Sequence, residues 1–200
     1  MRAPVLFIPN VFDADFCRHI IHVRKPEESE ESGMLINENG KSKKVFEDNQ
    51  IRRRDYFLKE GETQERVRHF IRNRVRPEIQ KAFHFEVTRF EAFNIVCYDA
   101  SNGGYIRPHC DDTLEEIAYR RFAMTINLNV GEYEGGYLRF PDYGSDFYRP
   151  ETGSAAIFSC SVLHEVTAVT KGRRFALLSF LYGEREAQQR EEYNRRMMVS

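Results

Sequence analysis

The chain has 200 residues and a formal net charge of −1, with 41% hydrophobic and 30% charged residues. That length can bury one full hydrophobic core, and the balance is that of a folded globular chain, which excludes intrinsic disorder. The charge excludes a global basic field of the kind nucleic acid attracts, and no apolar run approaches a membrane span.

The opening residues, MRAPVLFIPN, lack the apolar region and cleavage pattern of a secretory leader. Within them Val5 to Ile8 reads as a short strand, stopped by Pro9-Asn10. Asp13 is placed to cap a helix running to about Val23, with Phe16, Ile20 and Val23 at helical spacing. From Lys25 to Gln50 the chain is polar, with acidic EESEES and basic KSKK runs. This is either a solvated insertion or a substrate lid, with one short strand near Met34-Leu35-Ile36. Arg52 to Leu58 reads as a further strand. Its arginine triplet is either a solvated edge or a meeting point for an acidic substrate. A long helix follows from about Glu62 to Phe83, with an apolar stripe of Val67, Phe70, Ile71, Val75 and Ile79, and Pro77 should kink or split it.

After Glu86 the texture changes to short strands and turns. Strands are expected over 86–98, 104–109, 121–130, 136–140, 145–149, 154–159, 162–169 and 173–182, with turns at Glu134-Gly135-Gly136, Pro141 to Gly144 and Thr152-Gly153. About eight short antiparallel strands predict a mainly β fold with supporting helices, a double-sheet jelly roll. The expected organisation is a single domain: helical support over about 1–85, a β core over about 86–182, and a charged tail over 183–200. The helices should brace one sheet from outside. Cys17, Cys97, Cys110 and Cys160 are scattered without CxxC spacing, which predicts reduced thiols and a cytoplasmic protein.

Three residues form a candidate metal site. His109 and Asp111 stand at i and i+2, so in an extended segment both point to one side. His164 lies far downstream, with enough chain between for several strands to return to the same pocket. Two imidazoles and one carboxylate are the donor set that suits non-haem iron(II) and leaves positions open, whereas thiolates would favour zinc. Cys110 should point away from the other two. Arg174 is a candidate anchor for a dicarboxylate. If Thr170-Lys171-Gly172 is a three-residue hairpin loop, Ala168 pairs with Arg174 and Arg174 shares the face of His164, roughly 13 Å along the strand at about 3.3 Å per residue. A two-residue loop would instead turn Arg173 inward. The planar fork of arginine suits a carboxylate.

Together the residues Tyr98, Gly104-Tyr105, Pro108-His109-x-Asp111, Gly135-Gly136-x-Leu138-x-Phe140-Pro141, His164-Glu165-Val166-Thr167 and Gly172-Arg173-Arg174 resemble the iron(II)- and 2-oxoglutarate-dependent dioxygenases, in their prolyl 4-hydroxylase-like branch. The resemblance covers roughly residues 86–182. It implies a double-stranded β-helix (cupin-like), iron(II) held by His109, Asp111 and His164, and 2-oxoglutarate held by Arg174 and Tyr98. Dioxygen is the implied oxidant and ascorbate a supporting reductant, with no catalytic residue needed beyond the metal site. It implies hydroxylation of an unactivated C–H bond with release of succinate and CO2, on a prolyl or other protein residue. A small-molecule or free amino-acid substrate is the alternative within enzymes. A silent barrel acting as a sensor or binding module is the alternative outside them. Membrane partners are not expected, and nucleic acid is disfavoured because only Arg52-Arg53-Arg54 offers a compact basic patch. One departure stands out. Relatives often carry a tyrosine where this chain has Asn127, so the contact it makes falls either to Asn127 or to Thr125.

Overall fold

In the computed structural model, residues 2–38, 41–46 and 49–199 are described. Strand β1 (Leu6–Ile8) is followed by α1 (Ala14–Val23), whose N-cap Asp13 accepts from the Phe16 amide at 2.7 Å. Strand β2 (Glu30–Glu31) then leads to a hairpin, β3 (Met34–Glu38) with β4 (Lys41–Val45). The polar 25–50 segment therefore carries a two-stranded hairpin where one short strand was expected.

The arginine triplet is divided between two sheets. Strand β5 (Ile51–Arg52) and strand β6 (Arg54–Phe57) belong to different ones, and Arg53 is the crossing residue between them. The long helix is α2 (Glu62–Phe70), a π-helical stretch over Ile71–Val75, and α3 (Arg76–Phe83). Pro77 has no N–H to donate back along the helix, and the wider turn just ahead of it takes up that mismatch without a break. Ile71, Val75 and Ile79, spaced four apart, are fully buried.

The remaining strands are β7 (Arg89–Phe90), β8 (Asn94–Asp99), β9 (Tyr105–His109), β10 (Phe122–Asn127), β11 (Tyr133–Gly135), β12 (Leu138–Arg139), β13 (Ala155–Ser159), β14 (His164–Val166) and β15 (Val169–Tyr182), ahead of a terminal helix α4 (Glu184–Val199). The larger sheet runs β1-β13-β10-β15-β8-β6-β2, with β7 and β11 also on β15; the smaller runs β12-β14-β9-β5. The paired strands described are antiparallel, as a double-stranded β-helix requires. Residues 145–149 make only an isolated bridge, Tyr148 to Leu138, and Glu134-Gly135, expected in a turn, lies in β11.

Period-two alternation sorts the larger sheet into two faces. Ile95 and Cys97 of β8, Met124 and Ile126 of β10, and Phe175 and Leu177 of β15 pack in one cluster with Phe16, Ile20, Val67, Ile71, Val75 and Ile79 of the helices. The alternate residues, among them Tyr98, Thr125 and Arg174, line a cavity of about 540 Å³ on the other face. Strand β8 is thus buried on both sides, and its sequence NIVCYD shows no simple polar alternation.

The expected 170–172 hairpin is not formed. Strand β14 lies in the smaller sheet, the chain crosses at residues 167–168, and β15 runs unbroken from Val169 in the larger sheet. Gly172 does hold a left-handed φ of +71°, but inside the strand, opposite Tyr133. Arg174 faces inward for a different reason, its register opposite Tyr98. A Cβ at Gly172 would be driven into the Glu132 carbonyl in a conformation that side chains rarely adopt. Gly172→Ala should therefore destabilise the fold by about 1–3 kcal/mol in urea unfolding.

Candidate metal and co-substrate site

His109 ends β9 and His164 opens β14. The two strands are neighbours, and these residues are directly paired, which brings their ring centroids to 4.3 Å. Asp111 follows β9 in a loop stitched to the loop ahead of β14. Its amide donates to the Cys160 carbonyl at 2.8 Å, the Cys110 thiol meets the Ser161 carbonyl, and Ser161 Oγ donates to Asp112. One donor atom from each of His109, Asp111 and His164 lies within 4.8 Å of the others.

The tautomers are set by the backbone. His109 Nδ1 lies 2.8 Å from the Arg107 carbonyl and His164 Nδ1 lies 2.9 Å from the Val162 carbonyl. A carbonyl only accepts, so each Nδ1 carries the proton and each Nε2 is left with a lone pair. Both Nε2 atoms face the aspartate, at 3.4 Å and 3.3 Å from its two oxygens. Burial alone would raise the Asp111 carboxyl, but His164 and His109 outweigh it and hold it down at about 2. Burial keeps the His164 imidazole below its usual range, with Asp111 opposing. An anionic carboxylate and neutral imidazoles are the forms that bind a divalent metal. The cysteine thiols are held the other way: burial, then Asp112 and Asp111, raise Cys110, so no thiolate competes. This donor set fits iron(II).

The residues expected to hold the co-substrate, Arg174 and Tyr98, line the same cavity from the larger sheet. Arg174 is 3% exposed, and among the described residues no carboxylate pairs with it. Its Nη2 donates to Asn127 Oδ1 at 3.0 Å, its Cζ sits 5.1 Å from the Tyr98 ring centroid, and its Nε has no partner among the described residues. Gly136 leaves room for it, since a Cβ there would come within 2.8 Å of Arg174 Cδ. Arg173 faces outward and pairs with Asp99 at 3.1 Å. Asn127 also donates to the Pro150 carbonyl at 2.7 Å, so its amide is occupied in aiming Arg174. The Thr125 hydroxyl is buried, unpartnered among the described residues, and lines the cavity. Asn94 Oδ1, which also borders the cavity, is likewise without a partner among the described residues.

The model of the family described as "2OG-Fe(II) oxygenase superfamily" matches residues 93–182, which contain the whole of this arrangement. Over that stretch, a little under half of the chain, the sequence resembles the 2OG-Fe(II) oxygenase superfamily. It is 30% identical over 113 residues to a PKHD-type hydroxylase of Azoarcus sp., covering 53% of this chain and 47% of that protein. It is 26% identical over 186 residues to the multifunctional procollagen lysine hydroxylase and glycosyltransferase of Caenorhabditis elegans, covering 86% of this chain and 24% of that protein. The chain thus spans about half or less of the length of these curated relatives. In fold it is similar to a prolyl-4-hydroxylase of Pseudomonas putida, with a TM-score of 0.69 at 17% identity over 90% of this chain and 92% of that one. A Trichoplax adhaerens prolyl hydroxylase in complex with a hypoxia inducible factor peptide gives 0.68 at 14% identity over 94% of this chain and 86% of that one. Among the described residues no helix is long and apolar enough to cross a membrane.

Two contributors to this cavity escaped the sequence reading. The triplet pattern leaves Arg53 either at a solvated edge or against an acidic substrate, and does not single it out; in the structure it is mostly buried, paired with Asp55, and lines the cavity. Arg120 is locked to Glu91 by two bonds of 2.7 Å and 2.9 Å, lies 3.8 Å from the Phe180 ring centroid, and reaches the Asp111 carbonyl. Only the placement of a buried carboxylate could have revealed either. His109→Ala, with the Asp111 backbone still stitched to Cys160, should leave the fold intact. It should abolish stoichiometric iron(II) or manganese(II) retention, as measured by elemental analysis after desalting.

Proposed function

We propose that this chain is an iron(II)- and 2-oxoglutarate-dependent oxygenase that hydroxylates an unactivated C–H bond on a protein side chain, with prolyl the first candidate. The observation that carries the reading is a buried guanidinium without a carboxylate among the described residues, facing the same cavity as two imidazoles and an aspartate with their donor atoms converged. An unpaired buried cation is costly, so its retention points to an anionic ligand. A diacid spanning the cavity would satisfy Arg174 at one end and a metal at the other.

In this reading His109, Asp111 and His164 hold the metal. Bound iron(II), with 2-oxoglutarate and dioxygen, supplies the oxidising power, and succinate and CO2 are released. The protein's own part is geometric. Arg174, aimed by Asn127, fixes the far carboxylate by charge-assisted bonds. Thr125 offers its hydroxyl to the same ligand. The carbonyls of Arg107 and Val162 hold the imidazoles in register. Val166, Leu178 and Phe158 keep the inner cavity apolar and limit water, which strengthens each polar contact.

A protein substrate is favoured by the shape of the opening. Phe57 lines the cavity while 54% exposed, and Lys44 on the β3–β4 hairpin lines it from the other side. An exposed aromatic beside a deep polar site suits an extended chain inserting one side chain. The named relatives point the same way: one is a procollagen lysine hydroxylase and another holds a hypoxia inducible factor peptide.

Arg174→Ala should weaken 2-oxoglutarate binding by roughly 10- to 100-fold in calorimetry on the manganese(II)-loaded protein. Arg173→Ala, losing only an exposed pair, should change it by less than about twofold. Arg174→Met should cost the ligand-free protein less than about 1 kcal/mol in urea unfolding, because no buried anion loses its partner. For the reaction itself, succinate release with iron(II), ascorbate and 2-oxoglutarate should rise when proline-containing peptides are added, with a mass gain of one oxygen atom. A wild-type protein that binds no 2-oxoglutarate would be a silent barrel instead.

A further inference from the structure

We propose that Arg53 is a positioning residue of the co-substrate clamp: by donating to the Tyr98 oxygen it leaves the tyrosine O–H to act as a donor toward the carboxylate beside Arg174. The inference rests on the oxygenase reading above and adds a part to it.

The register makes the neighbourhood. Strand β15 pairs Arg174 with Tyr98. Strand β6 pairs Arg54 with Cys97, so the preceding residue, Arg53, lies alongside Tyr98 on its other flank. One cross-strand row on the inner face therefore reads Arg53, Tyr98, Arg174. Both guanidinium carbons approach the same ring, at 5.8 Å and 5.1 Å from its centroid. Arg53 reaches this row because it is the crossing residue between the sheets. The residues on either side of it are in strand, and its own carbonyl accepts from the Ser32 amide at 2.9 Å, which fixes the backbone with the side chain turned to the cavity.

The two arginines have opposite electrostatic states. Arg53 Nε and Nη2 donate to the two oxygens of Asp55 at 2.8 Å and 3.2 Å, and Nη2 also donates to Ser32 Oγ at 2.9 Å. Ser32 Oγ in turn donates to Asp55 at 2.8 Å, which closes the ring. The side chains of Arg53 and Asp55 are only 13% and 11% exposed. Burial alone would raise the Asp55 carboxyl, but Arg53 outweighs it and keeps it anionic. Arg53 is thus already neutralised and cannot be the main anchor of a dianion. Arg174, with no such partner among the described residues, can.

What Arg53 has left is Nη1, which lies 3.3 Å from Tyr98 Oη. A guanidinium can only donate, so the phenol oxygen accepts there and its own hydrogen must point elsewhere. Tyr98 is 1% exposed and borders the cavity, so the open direction is the cavity. Without Arg53 the hydroxyl could equally present its lone pairs to the ligand, which would repel a carboxylate. The locked fork removes that choice before the ligand arrives, which is the usual gain from preorganisation. Ser32 sits two residues ahead of β3, so the stem of the β3–β4 hairpin is tied into the same ring.

The test is a double-mutant cycle read by binding. 2-Oxoglutarate is titrated calorimetrically into the manganese(II)-loaded protein, where no turnover occurs. The variants are Tyr98→Phe, the paired change Arg53→Met with Asp55→Asn, and all three together. Replacing both members of the ion pair leaves neither buried charge alone. Each of the first two should weaken binding about tenfold, and the triple variant should be no weaker than Tyr98→Phe. Arg53→Lys keeps a charge opposite Asp55 but cannot also reach Tyr98, so it should give the same loss and covers the case in which the paired variant does not fold. Full additivity would mean that Arg53 acts other than through the hydroxyl, and unchanged affinity that it does not act at all; either overturns the proposal. If Tyr98→Phe and the Arg53 variants bind normally while Arg174→Ala does not, this inference fails and the oxygenase reading stands. If the wild type binds nothing, both fall together.

Discussion

A buried positive charge with no negative partner among the described residues is the constraint on which the rest of this structure depends. Arg174 stands on the inner face of the larger sheet, 3% exposed, held by one amide and one ring. A protein interior tolerates such a group only when something repays its desolvation. The surroundings decline to do so. Asn127 aims the guanidinium without neutralising it, the Thr125 hydroxyl has no partner among the described residues, and Gly136 leaves space where a side chain would crowd it. The site is built to be completed from outside the chain.

Contrast the other charged groups around the cavity. Arg53 is closed on Asp55 and Ser32, and Arg120 on Glu91. These pairs are rigid fixtures whose charge is spent internally. They leave two open functions on opposite walls, the cation at Arg174 and the converged donors of His109, Asp111 and His164. The two walls come from different sheets, so their separation is set by sheet packing and not by any single loop. That arrangement also explains the stitching at the rim: the loops bearing Asp111 and preceding His164 are joined by backbone and side-chain bonds.

The helices act at a distance from this chemistry. Alternation along β8, β10 and β15 gives every second side chain to the helix layer, and the rigidity of that packing fixes where the others point. A one-residue slip would put Phe175 or Arg173 where Arg174 stands, opposite Tyr98, so the register of the long central strand decides which side chain enters the cavity.

The sequence by itself determined the local features. The capping Asp13, the helical stripes, the glycine punctuation, the His-x-Asp spacing and the family resemblance are all short-range or additive patterns, so they could be read without coordinates. It pointed to Arg174, but through a hairpin that does not exist. Residues 164–174 change sheets at 167–168, and a crossing between sheets has the same turn-rich texture as a hairpin. Only the tertiary structure decided the inward Arg53 among three like neighbours, the aiming role of Asn127, and the pairing of Arg120 with Glu91. These depend on which carboxylate or amide a long-range register brings alongside, and that register is a property of the packed sheets that no local spacing encodes.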